Sequence, residues 1–296
     1  MASGRFQAWV LAARPATLTA AVVPVVVGSA LAARDGVLRV GPAGAALGAA
    51  LLIQIGTNLV NDVDDFERGA DTAARRGPTR VTQSGLLTAR EVRRAAWIAF
   101  GAAAVLGLYL VAHAGWPILA LGITAIASGI AYTGGPWPLG YRGLGDFFVF
   151  AFFGVAAVVG TYYVQAGATA ISVWVASIPV GALATAILVV NNVRDHDTDR
   201  IAGKRTLVVQ WGERAGRAEF IGLLALAYLV PFGLALTHLY SSWILLPWFT
   251  APWAIMLGRS MATCTDTPAF NPILRSTARL HLLFGLLLAA GLLCAA

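Results

Sequence analysis

Lysine is almost missing from this chain: Lys204 is the single one in 296 residues. Charge of either sign is scarce too, at 12% of residues, about half of what a soluble domain carries. With 58% hydrophobic residues and a mean hydropathy of +0.74, that scarcity excludes a soluble fold and points to an all-α, polytopic membrane protein. The two cysteines, Cys264 and Cys294, give neither a disulfide framework nor a metal-ligand spacing. No small-residue cleavage site follows the first apolar stretch after Arg14 and Pro15, so a cleaved leader is not expected. Of the histidines, His113 and His238 fall at the ends of apolar runs, and His281 stands alone inside the last one, where packing accounts for it.

What the chain has in plenty is long apolar stretches. Nine are read, at about 16–33, 43–61, 95–112, 116–132, 146–165, 171–190, 218–236, 243–258 and 279–295. If all nine span a bilayer, the N-terminus and the loops after spans 2, 4, 6 and 8 share one side. That side holds 19 of the 21 Lys+Arg, all but Arg34 and Arg39, and 13 of the 14 acids, all but Asp35. The positive-inside rule makes it cytoplasmic. The net charge of +7 then needs no nucleic acid to explain it. Nothing in the sequence calls for an obligatory protein partner. Tyr162 and Tyr163, near the far end of span 5, read as members of an interfacial aromatic belt.

The chemistry gathers at the ends of spans 2 and 6. Asn192, Asp195 and Asp199 recur at i, i+3 and i+7, on one face of a helix. Shifted back 134 positions, Asn58, Asn61 and Asp65 repeat the spacing, with Gly69 and Thr72 set against Gly203 and Thr206. The chain is thus one domain, 1–296, with a weak parallel pseudo-repeat. Carboxylates at a membrane edge suit a hard cation such as Mg2+. The loops beside them are basic: Arg80, Lys204 and Arg205, with Arg14 and Arg142 nearby. A diphosphate with Mg2+ bridges such a mixture, because carboxylates take the metal and cations take the remaining phosphate oxygens. Apolar walls behind it would hold a hydrocarbon tail. Metal-ligating candidates are Asn58, Asn61, Asp62, Asp65, Asn192, Asp195 and Asp199, with Asp62, Asp65, Asp195 and Asp199 central to turnover.

At these residues the chain resembles the UbiA superfamily of membrane prenyltransferases. Asn61-Asp62-Val63-Asp64-Asp65 matches that family's first acidic motif and Asp195-His196-Asp197-Thr198-Asp199 its second. The family's third acid after span 2 is Gly69 here, and Asp71 is the candidate to replace it. Further matches run from Asn58 to Asp62, Gly69 to Thr72, Gly77 to Arg80, Tyr132 to Pro136, Gly143 to Asp146 and Asn191 to Leu207. They resemble the menaquinone branch, which prenylates 1,4-dihydroxy-2-naphthoate. The resemblance implies nine helices around a central cavity, Mg2+, a polyprenyl diphosphate donor, an aromatic acceptor, and loss of carbon dioxide from that acceptor. The loops from Asp62 to Arg80 and from Tyr132 to Asp146 should fold over the cavity mouth. Tyr132, Tyr141 and Asp146 should line the acceptor pocket.

Rival readings remain at this point. Another acceptor, such as homogentisate, 4-hydroxybenzoate or a lipid, leaves the family unchanged. A cation-coupled transporter would place its acids in mid-span, whereas these lie at span ends. A CDP-alcohol phosphatidyltransferase would need an Asp-Gly-x-x-Ala-Arg pattern, which is absent.

Overall fold

The computed structural model describes residues 2–71, 77–237 and 240–294. Thr72, Arg75 and Arg76 of the first basic loop, and His238, lie outside the described residues. The described chain is helical, with no strand among its elements. A short α1 (Ala2–Ala13) leads into α2 (Pro15–Arg34), α3 (Val40–Glu67), α4 (Ala89–Ala114) and α5 (Trp116–Ala131). Next, α6 (Gly145–Val149) continues through a π-helical segment, Phe150–Ala156, into α7 (Ala157–Ala166). There follow α8 (Ile171–Arg194), the short α9 (His196–Ile201) and α10 (Leu207–Trp211), then α11 (Glu213–Leu236), α12 (Ala251–Thr263) and α13 (Phe270–Leu293).

Seven helical stretches are long and apolar enough to cross a bilayer. The other two expected spans are helical but differ in kind. The fourth is α5, with 16 residues. The eighth begins as a 3-10 helix, Ser242–Thr250, and becomes α12 only at Ala251. The start of α4 follows the sequence signal closely. Thr88 caps it by accepting from the Glu91 amide while Glu91 returns a bond to the Thr88 backbone, so two otherwise orphaned amides are satisfied at once.

The bundle packs apolar residues outward as well as inward. Leu108, Ile123, Leu229, Phe249 and Ile255 are all exposed, a distribution that water would penalise and lipid accepts. The main core joins α2, α7, α8, α11 and α13; a second joins α1, α3, α4 and the loop carrying Val81 and Leu87. Charged residues collect at two ends. At one end Arg34 pairs with Asp35 at 2.8 Å and lies over the Tyr240 ring, while the Arg39 amide donates to Gln165. Tyr162 belongs here and is no belt residue: it is buried, and its hydroxyl donates to Asp35 at 2.7 Å. The acid motifs occupy the opposite end.

One contact fixes the cavity wall. Gly154, within the π segment, lies against Gly181 of α8, two residues after Pro179. A Cβ on Gly154 would collide with the Gly181 backbone. Small residues of this kind let membrane helices approach where lipid gives no hydrophobic drive. Gly154→Val should therefore cost about 1–3 kcal/mol through overpacking, read as a lower thermal midpoint in detergent. Gly222→Val, at an α11 position with nothing within 4 Å of its added Cβ, should leave the midpoint in place. Equal midpoints for the two variants would show that the approach is not a constraint.

Candidate functional site

Both acid motifs end helices in the same way. At the end of α3, the Gly69 amide bonds to the Phe66 carbonyl at 3.0 Å and the Ala70 amide to the Asp65 carbonyl at 2.9 Å. At the end of α9, Gly203 bonds to Arg200 at 3.2 Å and Lys204 to Asp199 at 2.9 Å. Gly69 and Gly203 have φ of 71° and 72°. Each is the left-handed residue of a Schellman stop, where a side chain is penalised. This explains why no acid stands at position 69: the position is a turn that calls for glycine. It also sets Lys204 directly after its turn, level with the carbonyl of Asp199.

The second motif is not one continuous helix, as its spacing suggested. It breaks at Asp195, which follows α8 with φ −96° and ψ 8°, and resumes in α9. The Asp199 amide still reaches the Asp195 carbonyl at 2.8 Å, so the face survives the break. Asn192, Asp195 and Asp199 line the same cavity as Asn58, Asn61 and Asp65.

That cavity has a volume of about 560 Å³. Its polar end also holds Arg14, Arg80, Lys204, Tyr132 and Tyr141; its remainder is walled by apolar residues of α4, α5 and the π segment, among them Val111, Leu121 and Phe152. Asp65 is its focus. It accepts from the Tyr141 hydroxyl at 2.9 Å, lies 3.2 Å from Lys204 Nζ, and pairs with Arg80 Nη2 at 3.2 Å. Lys204 also stands 3.7 Å from Asp199, so the one lysine spans both motifs. Burial alone would depress its pKa, but Asp65 and Asp199 outweigh that and hold it above the ordinary lysine value. Burial and the Asp65 charge likewise push the Tyr141 phenol far up, keeping it a donor.

Several partners had no sequence reading. Arg194, fully buried, grips Asp195 through Nε at 2.8 Å and Nη2 at 2.6 Å and reaches Asn191 and Asn271. Its place beside Asp195 in the motif was the available signal. Asn58 donates to the Ala13 carbonyl and the Thr17 hydroxyl, and Asn61 accepts from Thr133 at 2.7 Å. Arg14 is the one non-glycine with positive φ among the described residues. It lies at the junction of α1 and α2 and donates to the Asn58 carbonyl. Asp71 is buried outside the cavity wall and holds Arg80 Nε at 2.9 Å. It reaches the cavity through Arg80 and does not itself line the wall.

Four expected residues lie outside the wall. Asp62, one position off the α3 face, accepts the backbone amides of Val81 and Thr82 and so anchors the loop that carries Arg80. Arg142 is exposed and stacks on Trp137 at 4.2 Å. Arg205 is exposed, and its backbone amide donates to the Tyr141 carbonyl. Asp146 is buried beside the cavity, with one oxygen lacking a hydrogen-bond partner. The two loops expected over the mouth do meet: Arg68 donates to the Gly135 carbonyl at 2.5 Å, and Tyr141 crosses to Asp65.

The donor set fits magnesium. Asn61, Asp65, Asn192, Asp195 and Asp199 offer only hard oxygens to the cavity. Among the described residues no three His, Cys, Asp or Glu side chains are placed to hold a metal ion by themselves. Mg2+ does not need such a set, since it takes one or two carboxylates together with substrate phosphate oxygens.

Comparison with known proteins agrees with this geometry. Residues 21–269 match the model of the UbiA prenyltransferase family. The chain is 38% identical over 296 residues to a 1,4-dihydroxy-2-naphthoate octaprenyltransferase of Escherichia coli, covering 97% of this chain and 96% of that one. It is 37% identical over 290 residues to the enzyme of the same name from Mycobacterium tuberculosis, covering 97% of each. Its fold is similar to the apo structure of a UbiA homolog from Aeropyrum pernix, with TM-score 0.72 and 15% identity over 94% of this chain and 97% of that one. A UbiA homolog from Archaeoglobus fulgidus bound to DMAPP and Mg2+ gives TM-score 0.68 and 14% identity over 97% and 99%.

The shape of the first turn can be tested directly. Gly69→Asp, which would restore an acid where the family has one, should lower stability by about 1–2 kcal/mol through left-handed strain. Gly69→Asn should cost less, because asparagine tolerates that conformation. Thermal denaturation of the two variants decides; a Gly69→Asp protein as stable as the parent would show that the turn does not require glycine.

Proposed function

The chain belongs to the UbiA prenyltransferase family, and from that premise we propose that it transfers a polyprenyl group from polyprenyl diphosphate to 1,4-dihydroxy-2-naphthoate in the step that forms demethylmenaquinone. It is a multi-pass membrane prenyltransferase. The observation that carries the reading is the single cavity: both acid motifs and three cations at one end, apolar walls along the rest. The choice of acceptor rests on the naphthoate-prenylating relatives, which match over nearly the whole chain. Acids at helix ends and not in mid-span also weigh against ion transport.

Asp65 and Asp199, with Asn61, Asn192 and Asp195, would hold Mg2+. Bound there with the donor, the metal would stabilise the charge that develops on the departing diphosphate. The protein's own groups do the rest. Lys204 and Arg80, already set by Asp65, Asp199 and Asp71, take diphosphate oxygens. Arg14 is a further candidate at the same end. The apolar wall receives the prenyl chain. Tyr132 and Tyr141 border the acceptor's place, and the loops meeting at Tyr141 and Gly135 exclude water from the allylic cation. Asp62, Arg142, Arg205 and Asp146 are not assigned to substrate. By its basic residues this end faces the cytoplasm, and in a bacterium the membrane would be the inner one.

Asp65→Ala and Asp199→Ala should each abolish turnover in a protein that still folds in the membrane; near-normal rates in both would remove these acids from the chemistry. Lys204→Ala should cost about 1.5–3 kcal/mol of a charge-assisted contact. That is roughly tenfold to a hundredfold in affinity for the donor, with much less effect on the acceptor. Unchanged donor affinity would exclude Lys204 from the diphosphate site.

The acceptor is settled by competition. With Mg2+ and a polyprenyl diphosphate, the purified enzyme should prenylate 1,4-dihydroxy-2-naphthoate in strong preference to 4-hydroxybenzoate or homogentisate. Preference for either of those would overturn the acceptor and leave the family standing.

A further inference from the structure

A second depression lies on the outer surface, where α4 leaves the loop and enters the apolar zone. It has a volume of about 700 Å³ and is lined by Glu67 of α3 and by Arg90, Arg93, Arg94, Trp97 and Ile98 of α4. It shares no lining residue with the catalytic cavity. Its arginines are not equivalent. Arg93 is paired with Glu67 at 2.6 Å and approaches Asp64 at 3.8 Å. Nearby Arg5 is paired with Glu91 at 2.5 Å. Arg90 and Arg94 are exposed and have no carboxylate partner among the described residues.

Their spacing points outward from the fold. Arg90 and Arg94 are one helical turn apart, and Trp97 and Ile98 follow on the next turn of the same face. Trp97 is 56% and Ile98 63% exposed. From Arg90 to Trp97 the helix rises about 10 Å. The polar layer of a bilayer is about 5–8 Å thick on each side, so the four residues span from water through headgroups to the first acyl carbons. Two unneutralised cations, then an indole, then an aliphatic side chain form the complement of one amphiphile with an acidic head.

We propose that this depression binds an anionic membrane phospholipid, with Arg90 and Arg94 on the headgroup phosphate and Trp97 and Ile98 against the glycerol and upper acyl chain. The occupant is a bilayer lipid and not the prenyl diphosphate, since the depression offers the donor neither a carboxylate pair for its metal nor an enclosed apolar wall for its tail. The assignment depends on α4 crossing the membrane and not on the reaction.

The test uses the whole protein, purified in mild detergent and supplied with phosphatidylglycerol or phosphatidylcholine of identical acyl chains. Native mass spectrometry should show phosphatidylglycerol retained in preference. Arg90→Gln with Arg94→Gln should abolish the preference, each arginine accounting for roughly fivefold in affinity. Arg90→Lys with Arg94→Lys should keep it, as should Arg93→Gln, which removes the paired arginine. Equal retention of the two lipids by the parent protein would overturn the proposal, as would a preference that survives the double glutamine variant. Displacement of the phosphatidylglycerol by polyprenyl diphosphate in an Asp65→Ala, Asp199→Ala background would overturn it too, by making the depression a donor site.

Discussion

A carboxylate almost cut off from water, Asp65, sets the terms for this end of the bundle. A buried charge is tolerated only when it is paired and hydrogen-bonded, and Asp65 has three donors from three separate segments: Tyr141, Lys204 and Arg80. None belongs to its own helix. Satisfying it therefore requires the loop after α3, the loop after α5 and the loop after α9 to converge. The same requirement extends one layer further out. Arg80 is held on its other side by Asp71, and Asp62 anchors the loop that carries Arg80 by accepting two of its backbone amides. The convergence of these loops at the polar end of the cavity is thus a consequence of burying one acid.

The two motif ends show how a chain obtains such convergence twice. Both place a left-handed glycine one turn after the motif's last aspartate, and both return an amide to that aspartate's carbonyl. The difference lies in the residue after the glycine. Beyond Gly69 stands Ala70, a small residue in the wall; beyond Gly203 stands Lys204, whose ammonium crosses to the opposite motif. One turn geometry therefore supplies space in one copy and a bridging cation in the other.

Much of this is legible in the sequence alone. The nine apolar segments all prove helical, the Thr88–Glu91 cap lies where its pattern places it, and six Asn/Asp residues selected by periodicity do line one cavity. The misses have a common cause. Asp62, Arg205 and Asp146 stand out by residue type within a motif and Arg142 by its charge beside one, and type does not reveal direction: Asp62 differs from Asn61 by one position, which on a helix is about 100°. The partners Arg194, Thr133 and Asn271 escape because their value lies in tertiary contact. Tyr162 reads as a belt residue because an aromatic near a span end is ambiguous until its hydroxyl is seen to meet Asp35.

The charge of the cavity decides what it can admit. Its wall carries three carboxylates, from Asp65, Asp195 and Asp199, and three cationic side chains, from Arg14, Arg80 and Lys204. Behind the wall Arg194 pairs with Asp195 and Asp71 with Arg80, each neutralising one member of that set. A site balanced in this way has no surplus of either sign to offer. A bare diphosphate would enter with uncompensated negative charge, and a bare divalent cation with uncompensated positive charge, each costly in a medium of low dielectric. A diphosphate already carrying its magnesium is nearly neutral, and the wall would offer carboxylates to the metal and lysine and arginine to the phosphate oxygens. Balance in the wall would therefore favour a metal–diphosphate pair over either component alone.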